Sequence, residues 1–307
     1  MEGAQEPDPA RQTEVPNHTL TRAAEHLAGL RDRLTLTVVY VDLDGTLLGP
    51  GGSLFSTPDG RITLRAVEAV AALHRAGVDL VPISGRTVQM VREAARFLGS
   101  PSYIAEMGGV TSFGGDIYHD HGAFRGIGTP FEAMARSGGA ALLLEEFAGR
   151  FEPHAPWAHL PREASMLFRG HVDLEEARAL LYRSGFDWLS LEDNGIIPRR
   201  FPGSSVDRFP GLVIEEVHAY HLVPRGVSKA AAAAADLARR GLTAEAAVGV
   251  GDSPADAELA SHVGAVFVVA NGRRAVEEAG AWPDNVYLTE ASHGDGFAEV
   301  VFGLLRE

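Results

Sequence analysis

Apolar and polar positions along this chain alternate between two periods from residue 36 onward. Leu36 to Val41 is apolar or aromatic except at Thr37, the pattern of a strand buried on both faces of a parallel sheet. Thr63 to Ala76 carries Leu64, Val67, Val70 and Leu73 at helical spacing, and Gly77 follows as a helix-ending glycine. Val78 to Ile83 predicts a second buried strand, Val88 to Leu98 a helix and Tyr103 to Ala105 a short third strand. Val110 to Phe113 and Ile117-Tyr118 predict a hairpin around Gly114-Gly115.

The regularity breaks between Asp120 and His221. The pattern there predicts a helix over Ala140 to Phe151, a Pro-rich stretch from Pro153 to Pro161 and a strand at Ser165 to Phe168. A helix over Leu174 to Ser184 and strands at Phe186 to Leu191 and Leu212 to Ala219 follow. After Pro224 the alternation resumes. It predicts a helix over Ser228 to Arg240, a strand at Ala246 to Val250, a helix over Ala255 to His262 and a strand at Ala265 to Ala270. Helices over Arg273 to Gly280 and Phe297 to Leu305 complete the series. The order implies an α/β fold, a doubly wound parallel sheet formed by residues 35–120 and 222–307. Residues 121–221 are read as an inserted α+β cap domain. Residues 1–34 are read as a tail: disordered over its Pro-, Glu-, Gln- and Asp-rich start, and helical from Leu20 to Leu34.

Composition narrows the chemistry. No apolar stretch approaches the roughly 20 residues that span a bilayer, and the first residues lack the apolar core of a signal peptide. The 307 residues include no cysteine, which removes disulfides, thiolate catalysis and cysteine-bound zinc and fits a cytoplasmic protein. A net charge of -14 argues against nucleic acid or an anionic membrane as partner. Lys229 is the only lysine; the other 26 of the 27 basic residues are arginine. A compact ammonium retained at one position, in a chain that otherwise uses arginine, points to a tight site there.

Four short polar signals fall at the ends of strands or at the start of the helix after one, the edge where open α/β sheets bind ligands. The first is Asp42-Leu43-Asp44-Gly45-Thr46, with Gly45 read as ending the strand so that Asp44 sits on a loop over the site. The second is Ser84-Gly85-Arg86, a hydroxyl and a glycine turn suited to an anion. The third is Lys229, after Gly226-Val227-Ser228. The fourth is Gly249-Val250-Gly251-Asp252-Ser253-Pro254-Ala255-Asp256, two acids four apart after a buried strand.

In this order the four signals resemble those of the haloacid dehalogenase superfamily of phosphatases, with a Rossmann-like core. The match runs from about residue 36 to 305, and the long insert is similar to the cap of the Cof-like sugar-phosphatase branch. Glu106-Met107-Gly108-Gly109, Val269-Ala270-Asn271-Gly272 and Gly294-Asp295-Gly296 are similar too. The resemblance implies that Asp42 is the nucleophile, forming an aspartyl-phosphate, and Asp44 the general acid and base. It implies that Ser84, with Gly85, Arg86 and Thr46, binds the phosphoryl group, and that Lys229 neutralises Asp42 and the phosphate. Mg²⁺ would be held by Asp42, the Asp44 carbonyl and Asp252, with Asp256 in support. The implied substrate is a small phosphorylated metabolite, a sugar phosphate or phosphorylated sugar acid. The mannosyl-3-phosphoglycerate phosphatases are a neighbouring group. A phosphotransferase or mutase using the same intermediate, and a non-catalytic sugar-phosphate-binding module, are the alternatives. Two positions depart from the branch, which often has asparagine where this chain has Ala255 and Met107. In the cap, Arg169, His171, Asp193, Asn194, Arg199 and Arg200 are polar candidates for reading the leaving group, with solvent exposure the simpler reading. His218, Tyr220 and His221 are read as strand residues rather than metal ligands, and Trp157, Trp188 and Trp282 as packing.

Overall fold

The computed structural model describes residues 20–201 and 203–305. In chain order its elements begin with β1 (Thr21–Arg22), α1 (Ala23–Arg33), β2 (Val38–Asp42), α2 (Arg65–Ala76), β3 (Asp79–Ile83) and α3 (Val88–Phe97). There follow β4 (Tyr103–Ala105), β5 (Val110–Phe113), β6 (Asp116–His119), α4 (Pro130–Ser137), α5 (Gly139–Glu146), β7 (Phe151–Pro153) and β8 (Met166–Gly170). Next are α6 (Leu174–Arg183), β9 (Leu189–Ile196), β10 (His218–Pro224), α7 (Lys229–Arg240), β11 (Ala247–Gly251) and α8 (Pro254–Ala257). The last are β12 (Ala265–Val268), α9 (Arg273–Ala279), β13 (Val286–Leu288) and α10 (His293–Leu305).

One sheet runs in the order β1-β13-β12-β11-β2-β3-β4-β5-β6. Its ladders are parallel from β1 through β4 and antiparallel across β4, β5 and β6. Every residue of β2, β11 and β12 is buried, so the apolar runs of the sequence become strands covered on both faces. One face packs against α1, α2 and α10 through Leu27, Leu30, Val70, Leu73, Phe297 and Val301. The other packs against α7 through Ala232, Ala233 and Leu237. From β2 the chain moves outward through β3 and β4, and later returns to the other side of β2 with β11. The C-terminal ends of β2 and β11 therefore flank the point where strand order reverses, where a doubly wound sheet opens a crevice.

A second, antiparallel sheet has the order β7-β8-β10-β9 and is covered on one face by α5 and α6 through Leu143, Phe147, Ala177 and Leu181. The two segments joining it to the first sheet run side by side: Ala123 N donates to Arg225 O at 2.8 Å. Gly122 (φ +49°) lies there with no room for a Cβ, which would stand 2.5 Å from Arg225 O.

Several element boundaries differ from the sequence reading. The stretch Leu212 to Ala219 is not one strand; Phe209, Leu212 and Val217 form a small cluster of their own, and the strand runs from His218 to Pro224. Its inward set is Tyr220 and Leu222, a period-2 signal that the adjoining apolar residues obscured. The strand expected at Phe186 to Leu191 is shifted to Leu189–Ile196, and the helix expected to reach Phe151 ends at Glu146, leaving Phe151 to start β7. The helix expected over Ala255 to His262 is a four-residue α8 continued by a 3₁₀ turn over Glu258–Ser261. The expected tail also divides. Its first 19 residues lie outside the described residues. The segment from Thr21 pairs with β13, and α1 buries Ala23, Leu27 and Leu30 against the core.

Leu30→Ala should therefore destabilise the protein by about 2–5 kcal/mol in urea unfolding, as for a core leucine. A loss below about 0.5 kcal/mol, the size of a surface effect, would mean that α1 is an appendage.

Candidate active site

The four polar signals converge at the ends of β2, β3 and β11. Asp42 closes β2 and is buried. Lys229 is the first residue of α7, whose N-cap Ser228 accepts a hydrogen bond from Ala231 N, and it is wholly buried. Its ammonium donates to Asp42 Oδ1 and to Asp256 Oδ1, both at 2.8 Å. The surface-lysine alternative is thereby removed. An arginine fork could not place one charge between two carboxylates in this space without displacing one of them.

Asp256 has no free oxygen. Its Oδ2 accepts from Asp252 N, Ser253 N and Ser253 Oγ, so it folds the turn after β11 and aims Lys229. Asp252 lies beside Asp42 and keeps a small exposed edge. Thr46 Oγ1 donates to its Oδ1 at 3.2 Å, and Asn271 Nδ2 donates to Gly45 O at 2.8 Å and to Asp252 Oδ2 at 3.3 Å. Gly45 (φ +88°) has to be glycine, because a Cβ there would stand 2.1 Å from Asp252 Oδ2. Thr46 thus positions an acid, a role the sequence reading did not give it. Asn271 belonged to a matching segment but carried no role, because a lone asparagine in a loop has no spacing to read.

Three acids facing one ammonium leave the cluster short of positive charge. Burial, opposed by Lys229 and reinforced by Asp256, pushes Asp42 up to about 7. Burial and the Asp42 charge raise Asp252 well above the carboxylate range. Lys229 moves up as well: its two carboxylates outweigh its burial. Ligand oxygens of Asp42, Asp252 and Asp256 lie within 4.8 Å of one another, an all-oxygen set that suits a hard dication. Asp256 is buried and spends its oxygens on Lys229 and its own turn, whereas Asp252 keeps an exposed edge beside Asp42, so Asp42 and Asp252 are the acids best placed to face an ion.

The second signal roofs this cluster. Ser84 is buried at the end of β3 and its Oγ accepts from Arg86 N at 3.2 Å. Arg86 does not point into open space: its Nε and Nη2 each reach an oxygen of Asp44 at 2.6 Å, a bidentate pair. Asp44 itself is half-exposed on the loop after β2, as the glycine that follows implied.

The second sheet, expected from the sequence to be a cap, lies over Ser84-Gly85. A Cβ on Gly85 would stand 2.3 Å from His221 Nε2 and 3.1 Å from Asn194 Nδ2, and Arg162 Nη1 donates to Gly85 O at 3.0 Å. Arg162 Nε, Asn194 Oδ1 and His221 Nδ1 are buried with no hydrogen-bonding partner among the described residues. His221 is held neutral by burial and by the nearby charges of Arg162 and Lys229. Glu106 ties cap to core, its buried carboxylate accepting from the backbone N–H groups of Glu163, Ala164 and Ser165. The sequence reading set His221 aside and did not single out Arg162; both lie far along the chain from the residues they cover.

Other cap candidates serve the cap itself. Arg199 binds Asp207 and the carbonyls of Phe209 and Ile214, and Arg169 binds Glu152 and Ala155 O. Arg200 is exposed. Trp188 packs against Phe124, while Trp282 donates to Val276 O. Trp157, read as packing, is instead 45% exposed. Met107 and Ala255, the two departures, pack together with Val223 and Val227. Lys229 keeps both its partners without the amides that the branch often has there.

Residues 39–123 match the family of haloacid dehalogenase-like hydrolases. A phosphoglycolate phosphatase of Methanoculleus marisnigri is 28% identical over 269 residues, 87% of this chain and 95% of that protein. Among solved structures, protein 0175 of Thermoplasma acidophilum superposes with a TM-score of 0.55 at 18% identity, over 88% of this chain and 98% of that one. The sucrose-phosphatase of Synechocystis, solved with sucrose and phosphate, gives 0.54 at 15% identity over 87% and 97%. These two share the fold.

A dication needs ionised carboxylates, so protons on Asp42 and Asp252 compete with it. Both acids are raised, so the metal-free fold is most stable where they are neutral, and the share due to Asp42 is lost as pH rises through about 7. The gain in thermal midpoint on adding Mg²⁺ should accordingly be larger at about pH 8 than at about pH 5.5. An increment independent of pH would contradict this assignment of the ligands.

Proposed function

We propose that this chain, which matches the haloacid dehalogenase-like hydrolases over residues 39–123, is a Mg²⁺-dependent phosphatase acting on a small phosphorylated metabolite through an aspartyl-phosphate on Asp42. The observation that carries this reading is the buried Lys229 bridging Asp42 and Asp256 at the point where strand order reverses. Lys229 holds one oxygen of Asp42 and leaves Oδ2 to attack phosphorus. The Asp42 carboxylate forms the new O–P bond as the bond to the leaving alkoxide breaks. Asp44 donates a proton to that alkoxide. In the second half, Asp44 takes a proton from water, the water oxygen attacks phosphorus, and Asp42 leaves with inorganic phosphate released.

For Asp44 to do this, Arg86 has to let it go. Both Asp44 oxygens are taken up by the guanidinium, so in the clamped arrangement neither can reach a leaving alkoxide. The phosphoryl oxygens offer Arg86 a second anion, and on moving to them it would neutralise charge where the reaction needs it and release the Asp44 oxygens toward the leaving group. Ser84 Oγ stands beside that path. Mg²⁺ held by Asp42, Asp252 and the Asp44 carbonyl would supply further neutralisation of the phosphoryl oxygens. Phosphoryl transfer asks mainly for positioning and charge, which these residues provide without cysteine or histidine.

Two observations support a small leaving group. His221 and Asn194 lie almost in contact with Gly85, leaving little room beside the phosphoryl site when the cap is down. The near-full-length relative from Methanoculleus carries the name of phosphoglycolate, a two-carbon acid. We therefore favour a short phosphorylated acid over a disaccharide phosphate. The cap has to lift to admit it, and its return would keep bulk water from the phosphoenzyme.

Asp42→Asn should reduce phosphate release from p-nitrophenyl phosphate by on the order of 10³-fold or more, and retained turnover would exclude Asp42 as nucleophile. Lys229→Arg keeps the charge but not the fit, and should lower kcat by about 10²–10³-fold; wild-type behaviour would show that the site tolerates a fork. A phosphate-release screen should rank 2-phosphoglycolate above hexose phosphates, and isomer formation without phosphate release would identify a mutase instead.

A further inference from the structure

The end of the cap sheet gathers a second group of ligating side chains. His218 opens β10, Glu216 precedes it by two residues, and His171 follows β8, whose Gly170 pairs with His218 across the ladder. Ligand atoms of the three lie within 4.8 Å of one another. The His218 ring stacks on Tyr220, which belongs to the cap's own core, whereas His221 covers Gly85. The group is therefore separate from the catalytic crevice.

Its geometry is that of a prepared histidine ligand. His218 Nδ1 lies 2.7 Å from Asp193 Oδ2, and Nε2 lies 3.2 Å from Glu216 Oε1. The carboxylate on Nδ1 orients the ring, and an ion between Nε2 and Oε1 would displace the proton those two atoms share. Two ligands of a tetrahedral ion, each about 2.0–2.1 Å from it, stand about 3.3 Å apart. Nε2 and Oε1 already have that spacing. Glu216 gives its other oxygen to Arg274 of α9 at 2.8 Å, which pins the carboxylate while Oε1 stays turned to the imidazole. The His171 ring, 5.1 Å from that of His218, brings the third ligand.

We propose that His171, Glu216 and His218 bind one transition-metal dication of the zinc class, with Asp193 supporting His218 and water completing the coordination. Two imidazoles and one carboxylate select such an ion over Mg²⁺, which prefers oxygen alone, so this site and the three-carboxylate crevice sort different metals. Because Glu216 also holds Arg274, an ion here fastens the cap sheet, through Glu216, to helix α9 of the core.

The test titrates the full-length protein with Co²⁺ in excess Mg²⁺ and then displaces Co²⁺ with Zn²⁺. The wild type should show visible absorption bands of a low-coordinate, nitrogen-ligated Co²⁺ site, lost on adding about one equivalent of Zn²⁺. Asp252→Asn, which removes an acid from the crevice, should keep the bands. His171→Ala changes an exposed residue and should abolish them with the metal-free thermal midpoint unchanged. Asp193→Asn should weaken binding by about 10- to 100-fold. A wild type without bands, bands that survive His171→Ala, or bands that Asp252→Asn removes would each overturn the proposal.

Discussion

Everything at this site follows from one electrostatic constraint: carboxylates crowd the end of a buried sheet, and a single buried ammonium is there to answer them. Lys229 lies between Asp42 and Asp256, both at 2.8 Å, in a space closed to water. Removing one partner of such a cluster leaves an uncompensated buried charge, an error of about 3–5 kcal/mol in comparable pairs. The surroundings are arranged to prevent it. Ser228 caps the helix that delivers Lys229, Asp256 is locked by the turn it caps, and Gly45 yields its Cβ space to Asp252. The excess of carboxylate over ammonium that remains is the feature on which the proposal of a bound dication rests.

The fold supplies the rest by topology. Reversal of strand order between β2 and β11 puts Asp42 and Asp252 side by side although 210 residues of chain separate them. The insertion that returns beside Gly122 lets a second sheet lie over Ser84-Gly85 without disturbing the first. That sheet and the loop before β8 bring buried groups that have no partner among the described residues, Arg162 Nε, Asn194 Oδ1 and His221 Nδ1, over Gly85. Unpaired buried polar atoms carry a free-energy penalty, so their concentration over one loop calls for an account; the proposed substrate supplies one.

The core was legible because its strands are buried on both faces. Continuous apolar runs ending in Asp, Ser or Gly give both the element and its polar end, which is why Asp42, Ser84 and Asp252 can be placed at one sheet edge from the order of amino acids alone. The cap was less legible. It is an antiparallel sheet covered by helices on one face, so its pattern is period 2, and clusters such as Phe209, Leu212 and Val217 mimic a strand that lies elsewhere. Pairings between distant residues were illegible for a different reason. The Arg86 clamp on Asp44 and the Asn271 bond to Asp252 have no spacing in sequence, because they depend on where two loops end in space. Met107 and Ala255 show the converse: read singly they look like lost polar supports, yet they pack together as one apolar contact.

The central claim is that Asp42, oriented by Lys229, becomes covalently phosphorylated. The direct measurement is to quench the enzyme during turnover of a phosphorylated substrate, reduce it with borohydride and sequence the peptides by mass spectrometry. An acyl phosphate at Asp42 would be reduced to homoserine at that position, and this is the result predicted. Homoserine at another acid, or turnover with no trapped acyl phosphate while a control aspartyl-phosphate enzyme is trapped, would contradict it.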